Sequence, residues 1–198
     1  IYNILIILNC TEVIMVAGYR TDMADEARSL WNRSVGKSTE LPGVIAREEN
    51  LCGLNVTAVE ITGEEGARAL GKAPGKYFSL DLPTHFDHGA EDFASAVGTL
   101  AALIGRCVPE RADSVLVAVL GNPDITPDAL GSLAAGSILV TRHLKKSGSP
   151  GFEGFSSLAL CRPGVLGTSG IETASQVSVL CRELAPSFVI AIDALAGT

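Results

Sequence analysis

The sharpest feature of the hydrophobic pattern is Val115–Leu120, six apolar residues in a row between Ser114 and Gly121. The run is too short for a typical helix and rich in β-branched valine, so it predicts a strand buried on both faces. The polar positions that follow change the element at once. Gly121 and Asn122 accept positive φ, and Thr126-Pro127 predicts a helix start with Thr126 as N-cap, which puts Asp128 in the first helical turn. The arrangement recurs later, where Phe188–Ile192 predicts a second buried strand that ends on Asp193.

The rest of the pattern supplies helices and further strands. Ala90–Arg106 carries Phe93, Val97, Leu100, Ala101 and Ile104 at helical spacing and predicts an amphipathic helix facing the core on that stripe. An earlier helix starts near Asp22, with Asp25 and Glu26 in its first turn and Ala27, Leu30 and Trp31 on its apolar face. Val56–Thr62 alternates as a half-buried strand. Thr62 and Glu65 make a capping box for a short helix that Gly71 ends. Lys76–Leu82 predicts an antiparallel-capable edge strand with Phe78, Leu80 and Leu82 on one face. Ile138–Thr141 and Ser157–Cys161 are strand-like, and Ser169 with Glu172 forms a second capping box before a helix bearing Val177, Leu180 and Leu184. The fold class expected is α/β, a mostly parallel sheet flanked by helices with an antiparallel edge.

Composition narrows the partners. With 198 residues, 47% of them hydrophobic, the chain suits one domain without staples. A net charge of −7 and a sequence pI near 4.9 exclude nucleic acid and anionic membrane as main partners, since phosphate binding needs a basic footprint. Asn9, Thr11 and Glu12 interrupt the first apolar run short of a membrane span, and no basic segment precedes it, so residues 1–15 read as a leader or fragment edge. Five scattered cysteines without a CxxC pair indicate neither a disulfide framework nor a zinc cluster. His85, Asp87 and His88 have a metal-like spacing, but His143 is the one further histidine, and solvated loop residues are the simpler account. Gly36-Lys37-Ser38 resembles the end of a phosphate loop, yet no buried strand precedes it. No metal and no cofactor is expected.

Asp128 and Asp193 are the candidate chemistry. Each stands at the end of a buried strand, and in an open α/β sheet such ends form the crevice where ligands collect. Asp is also an ordinary residue of a first helical turn, and Asp193 reads equally as a cap for a helix from Ala194. Two carboxylates at neighbouring strand ends, sharing one proton, can polarise a water and protonate a leaving amine. GxSxG, HExxH, Asp-Thr-Gly and Asp-Ser-Gly motifs are all absent from the sequence. Asn122 is a candidate oxyanion donor as well as a plain turn residue. Arg142 is a candidate partner for a carboxylate or a substrate acid, and equally for a surface ion pair. His143 is given no role. Free N–H groups at a helix start after Gly167–Gly170 offer a third reading, an anion site.

GNPDITPDALG, LVTRHL, PGVLGTSGIET and FVIAIDALA, in this order, with RTDMADEA and GKYFSLDL before them, resemble the germination protease family of endospore-forming bacteria. The resemblance implies an endopeptidase that starts degradation of small acid-soluble spore proteins with two aspartates, here Asp128 and Asp193. It also implies a fold similar to hydrogenase-maturation endopeptidases, a homotetramer, and residence in the cytoplasm of the forespore or spore core. A zymogen that cuts its own N-terminus is implied as well, with Asp22-Met23 as the matching cleavage place, residues 16–22 as pro-segment and 23–198 as a single peptidase domain truncated at its C-terminus. The chain departs from the family pattern at Pro123-Asp124, where Trp-Asn is usual, at Ser132 and at Ser169. A non-catalytic, sporulation-related binding or assembly protein on the same fold is the alternative expectation.

Overall fold

The computed structural model describes residues 4–7, 23–35, 41–82 and 90–194. Contacts divide them into two compact units, one running to Cys107 and the other from Val108 onward with strand β1 (Ile4–Ile7) added to it.

The first unit is an antiparallel sheet of β2 (Val44–Leu51), β3 (Leu54–Ile61) and β4 (Gly75–Leu80), with β3 in the middle. Helices α1 (Ala24–Val35) and α2 (Glu64–Leu70) cover one face. Alternation turns Val59 and Ile61 of β3 to that face, where they bury with Ala24, Ala27, Leu41 and Leu70. Ser79 Oγ donates to Asp25 Oδ1 at 2.8 Å, so the one polar side chain buried there on β4 is satisfied. Helix α3 (Ala90–Cys107) lies against β3 and β4, and Thr99 Oγ1 donates to Leu51 O at 3.2 Å. Its buried stripe is Ala96, Thr99 and Leu103. Of the expected stripe, Phe93 (51%), Val97 (50%) and Ala101 are exposed, while Leu100 and Ile104 are half-buried.

Local signals fell short in two places here. The run Arg47-Glu48-Glu49-Asn50 breaks any apolar pattern and gives no sign of β2, which as an edge strand pairs with β3 and leaves most of those side chains wet. The strand expected over Lys76–Leu82 is present as β4, an antiparallel edge, though of this separate sheet and not of the parallel one. Helix α2 starts after Gly63 with no side-chain cap from Thr62, although Gly71 ends it in the left-handed conformation as expected.

The second unit holds the parallel sheet. β5 (Ser114–Val119) lies between β6 (Ser157–Cys161) and β7 (Phe188–Ala194), parallel to both, and β1 pairs antiparallel on the far side of β7. Val115, Val117 and Val119 face a cluster with Phe188, Ile190 and Ile192, closed over by Ala135 and Ile138. The chain steps from β5 to β6 in one direction and from β6 past β5 to β7 in the other. Right-handed crossovers therefore put the short helices α4 (Leu130–Ala134) and α5 (Arg142–Lys146) on one face and α7 (Thr173–Leu184) on the other.

Ile138–Thr141 begins extended at Ile138, but it is not a strand, and Thr141 is already in the right-handed helical region. A single backbone bond, Thr141 N–H to Leu158 O at 3.1 Å, ties it to β6, and the chain then enters α5. The second capping box is also absent. Ser169 closes the one-turn helix α6 (Leu166–Ser169), Gly170 caps it with φ of 69°, and α7 begins three residues later without a side-chain cap.

The β2–β3 hairpin turns on two residues, Cys52 at φ 51° and Gly53 at φ 85°. Both signs are those of the type I′ turn, which favours Asn-Gly, and Cys52 carries a side chain ill suited to the left-handed region. Cys52→Asn is expected to raise stability by up to about 1 kcal/mol, read as a higher urea midpoint with an unchanged slope.

Candidate active site

The end of β5 builds the setting of Asp128. Leu120 carries the ladder one bond past the strand, its N–H donating to Ile192 O at 2.8 Å. Gly121 then turns with φ of 94°, a conformation that costs other residues roughly 1–2 kcal/mol. The returning chain comes so near that a Cβ on Gly121 would stand 2.1 Å from the Asp128 carbonyl oxygen and 2.9 Å from its Oδ1. Asn122 N–H donates to Asp128 Oδ2 at 2.6 Å, and Asn122 Oδ1 accepts from Asp124 N–H at 3.0 Å. The side-chain oxygen of Asn122 therefore closes its own turn, the plainer of its two expected roles.

Thr126 is not a cap. Thr126–Asp128 forms one 3-10 turn after Ile125, with no side-chain cap and Pro127 inside it, and α4 begins only at Leu130. Asp128 is thus held in a tight turn that packs against β7 rather than in an α-helix.

Gly131 makes that packing possible. A Cβ there would lie 2.3 Å from Leu120 O, 2.7 Å from Ile192 O and 2.8 Å from Leu120 N, so α4 rests directly on the backbones of β5 and β7. Sequence patterning gave no notice of this residue, although a glycine early in the helix after a buried strand has the same use in dinucleotide folds, where it allows close helix–strand packing.

Asp193 lies inside β7, which continues to Ala194, and not past its end. Its Oδ1 accepts from Ala194 N–H at 2.9 Å, and its Cα partner on β1 is Leu5. Val119 pairs with Ile192, so Asp193 is level with Leu120, about one strand spacing of 4.8 Å away. Leu120 adjoins Gly121, which touches Asp128. The two aspartates therefore share the carboxyl end of neighbouring parallel strands. Ile190 and Ile192 face the cluster under α4, so alternation turns Asp193 to the opposite face of the sheet.

The crossovers leave β5 and β6 on opposite faces of the sheet, which makes their carboxyl ends a switch point of the kind where crevices open. The loop after β6 follows at the same carboxyl end of the sheet. Gln176, on α7, binds it with every atom of its amide. Oε1 accepts from Gly164 N–H at 3.1 Å, and Nε2 donates to Gly164 O at 2.9 Å, Ile171 O at 2.9 Å and Ser169 Oγ at 3.2 Å. A lone glutamine on an amphipathic helix reads as surface, and no periodicity reveals this role. The N–H groups of Thr168, Ser169 and Gly170 bond to Val165 and Leu166 carbonyls, so Gly167–Gly170 itself closes the one-turn helix α6.

Arg142 lies elsewhere. It opens α5 directly after Thr141, whose hydroxyl donates to Ser156 O at 2.6 Å and accepts from Leu158 N–H at 2.9 Å, at the start of β6. Leu158 is level with Val115, five residues or roughly 16 Å from the end of β5 where the aspartates stand. His143 is exposed on the same helix. Cys161, level with Ala118, is the thiol nearest the strand ends, and burial pushes its pKa up, the wrong direction for a nucleophile. Among the described residues no cluster of three or more His, Cys, Asp or Glu could hold a metal. The loop with His85, Asp87 and His88, the Gly36-Lys37-Ser38 motif, and Asp22 of the Asp22-Met23 cleavage place lie outside the described residues. No helix among the described residues is long and apolar enough to cross a membrane.

A parallel core wound on both faces, with Asp128 and Asp193 near the carboxyl ends of β5 and β7, defines an α/β protein. The chain belongs to the germination protease family, whose model matches residues 21–198. It is 40% identical over 187 residues to a germination protease of Caldanaerobacter subterraneus subsp. tengcongensis, covering 93% of this chain and 56% of that one. It is also 40% identical over 185 residues to one from Clostridium perfringens (90% and 55%), and 37% identical over 189 residues to one from Priestia megaterium (90% and 50%). The chain thus spans about half the length of the curated relatives it matches.

Gly131→Ala should cost roughly 2–3 kcal/mol, because backbone on two strands must move, whereas Gly136→Ala meets nothing within 4 Å and should change stability by less than about 0.5 kcal/mol. Paired urea titrations check this. Cys52 is exposed, so iodoacetamide should modify it before Cys161. Labelling of Cys161 should rise only above the usual thiol range. The folded chain keeps that proton where the unfolded chain has lost it, so stability falls as pH climbs through the same range. Labelling followed by peptide mass mapping, and urea midpoints against pH, read both.

Proposed function

We propose that the chain carries the acid pair of an endopeptidase that hydrolyses small acid-soluble spore proteins, with Asp128 and Asp193 as its catalytic residues. One observation supports the reading most: in a chain of the germination protease family, two aspartates stand at adjoining carboxyl ends of β5 and β7. Hydrolysis of this kind uses one ionised carboxylate as the base and one protonated carboxyl group as the acid. The ionised group draws a proton from water as that water attacks the scissile carbonyl, and the protonated group delivers its proton to the leaving amine. The raised Cys161 thiol and the absence of the serine and metallopeptidase motifs from the sequence favour this route.

The wider reading follows from the resemblance. The chain is made as a zymogen that cuts itself between Asp22 and Met23, acts as a homotetramer in the forespore or spore core, and shares its fold with hydrogenase-maturation endopeptidases.

The test is incubation with a purified small acid-soluble spore protein, wild type beside Asp128→Asn and Asp193→Asn, with fragments and the protein's N-terminus followed by mass spectrometry. Each Asn variant should lower the rate by about 10²-fold or more, as removal of an acid or base does, with circular dichroism unchanged. Cleavage that survives both substitutions would sink the two-aspartate reading. A folded wild type that binds spore protein without cutting it would favour the non-catalytic alternative.

A further inference from the structure

We infer that the outer edge of β6 at Leu160 and Arg162 is a docking site for an extended acidic peptide, which adds to the sheet as a further strand. The inference comes from backbone bookkeeping. Residues of a strand direct their N–H and C=O alternately to the two sides. Ser157 N–H donates inward to Asp113 O, while Leu158 N–H and C=O both bond outward to Thr141. Leu160 and Arg162 therefore direct their backbone groups outward too. Below them the edge is occupied by Thr141, and above them Gly164 is held on both its N–H and C=O by Gln176. Between these two fastenings the groups of Leu160 and Arg162 have no hydrogen-bond partner among the described residues. What remains is a short open stretch of edge whose ends are fixed by side chains, the geometry that strand addition uses.

Charge indicates which peptide fits. The whole chain carries −7, yet from Ile138 to Pro163 it has Arg142, Lys145, Lys146 and Arg162 against one acid, Glu153. Lys145 braces the loop through Glu153 O and Phe155 O, and the Glu153 carboxylate accepts from Gly151 N–H. Arg142 and Lys146 on α5, which packs on β6, and the exposed Arg162 beside the open groups are left to face a ligand. A basic rim in an acidic protein steers and holds acidic segments, and does so less well as salt rises. The edge leads toward the carboxyl ends of the sheet, where the aspartates stand. As a step in substrate capture the site rests on the peptidase reading, whereas as a binding site it stands on the edge geometry alone.

Binding without cleavage separates the two. The probe is a fluorescent ten-residue peptide alternating valine and glutamate, titrated into the full chain and into Asp128→Asn. Both should bind it equally, and binding should weaken with added salt. Two further peptides carry backbone N-methyl groups on the odd or on the even residues. Strand addition predicts that one loses binding at least about fivefold and the other does not, since only one set of N–H groups faces the edge. Leu160→Pro removes an outward N–H without touching the β5–β6 ladder and should weaken binding by a similar factor. Arg162→Glu should weaken the glutamate peptide and favour a valine–lysine one. Equal binding of the two N-methylated peptides to wild type, or no binding of the parent peptide, would overturn the proposal, whatever the outcome of the cleavage assay.

Discussion

Everything distinctive about the second unit depends on one close approach, that of Gly131 to the backbones of β5 and β7. Because residue 131 ends at its Cα, α4 can lie on the carbonyls of Leu120 and Ile192 themselves. That contact fixes the level at which the chain leaves β5, and so the turn that holds Asp128 against Gly121. A methyl group would lift the helix and take the turn with it. The positions of Asp128 and Asp193 are consequently by-products of packing: one is brought back by a glycine turn, and the other is carried on a strand whose register with β5 is set by the ladder between them.

The surroundings of the pair divide the labour. The Asn122 amide N–H gives Asp128 its direction, and the Gln176 amide stiffens the facing loop. Neither is a reacting group in the proposed chemistry. Both spend backbone and amide hydrogen bonds on holding a loop still, which is how a site placed on turns acquires the precision of one placed on regular elements.

What was legible in the sequence follows the same physics. Val115–Leu120 was readable as a strand because burial on both faces leaves an apolar run that no other short element explains, and Phe188–Ile192 and the half-buried edge strand Ser157–Cys161 were readable from short, largely apolar stretches. Asp193 was read as standing past the end of its run, whereas β7 continues through it to Ala194. The face of α3 was misjudged because size-weighted periodicity favours Phe93 and Val97, while the interface accepts Ala96 and a Thr99 hydroxyl that finds Leu51 O. β2 escaped because an edge strand has no need of apolar residues on its wet side. The two capping boxes failed because Ser/Thr followed by Glu at that spacing also occurs where a preceding glycine or a one-turn helix already sets the chain's path. Gln176, Gly131 and Thr141 were invisible for one reason: each acts on backbone from a distance in sequence, and no local window contains its partner.

Topology also orders the molecule in time. The β2–β3 hairpin closes over two residues and can form as soon as it is synthesised. β5 must wait for β7, with Ser114 and Ser187 meeting 73 residues apart. At about 5–20 residues per second that gap lasts several seconds on the ribosome. Throughout it the buried strand β5 lacks its β7 partner, and long-range pairing of this kind is intrinsically slow. Asp128 is translated early but has no counterpart until β7 docks. The carboxyl end of the sheet that brings both residues to one level is therefore among the last features of the unit to come into being, and a nascent chain that stops short of β7 would lack Asp193 and the strand that carries it.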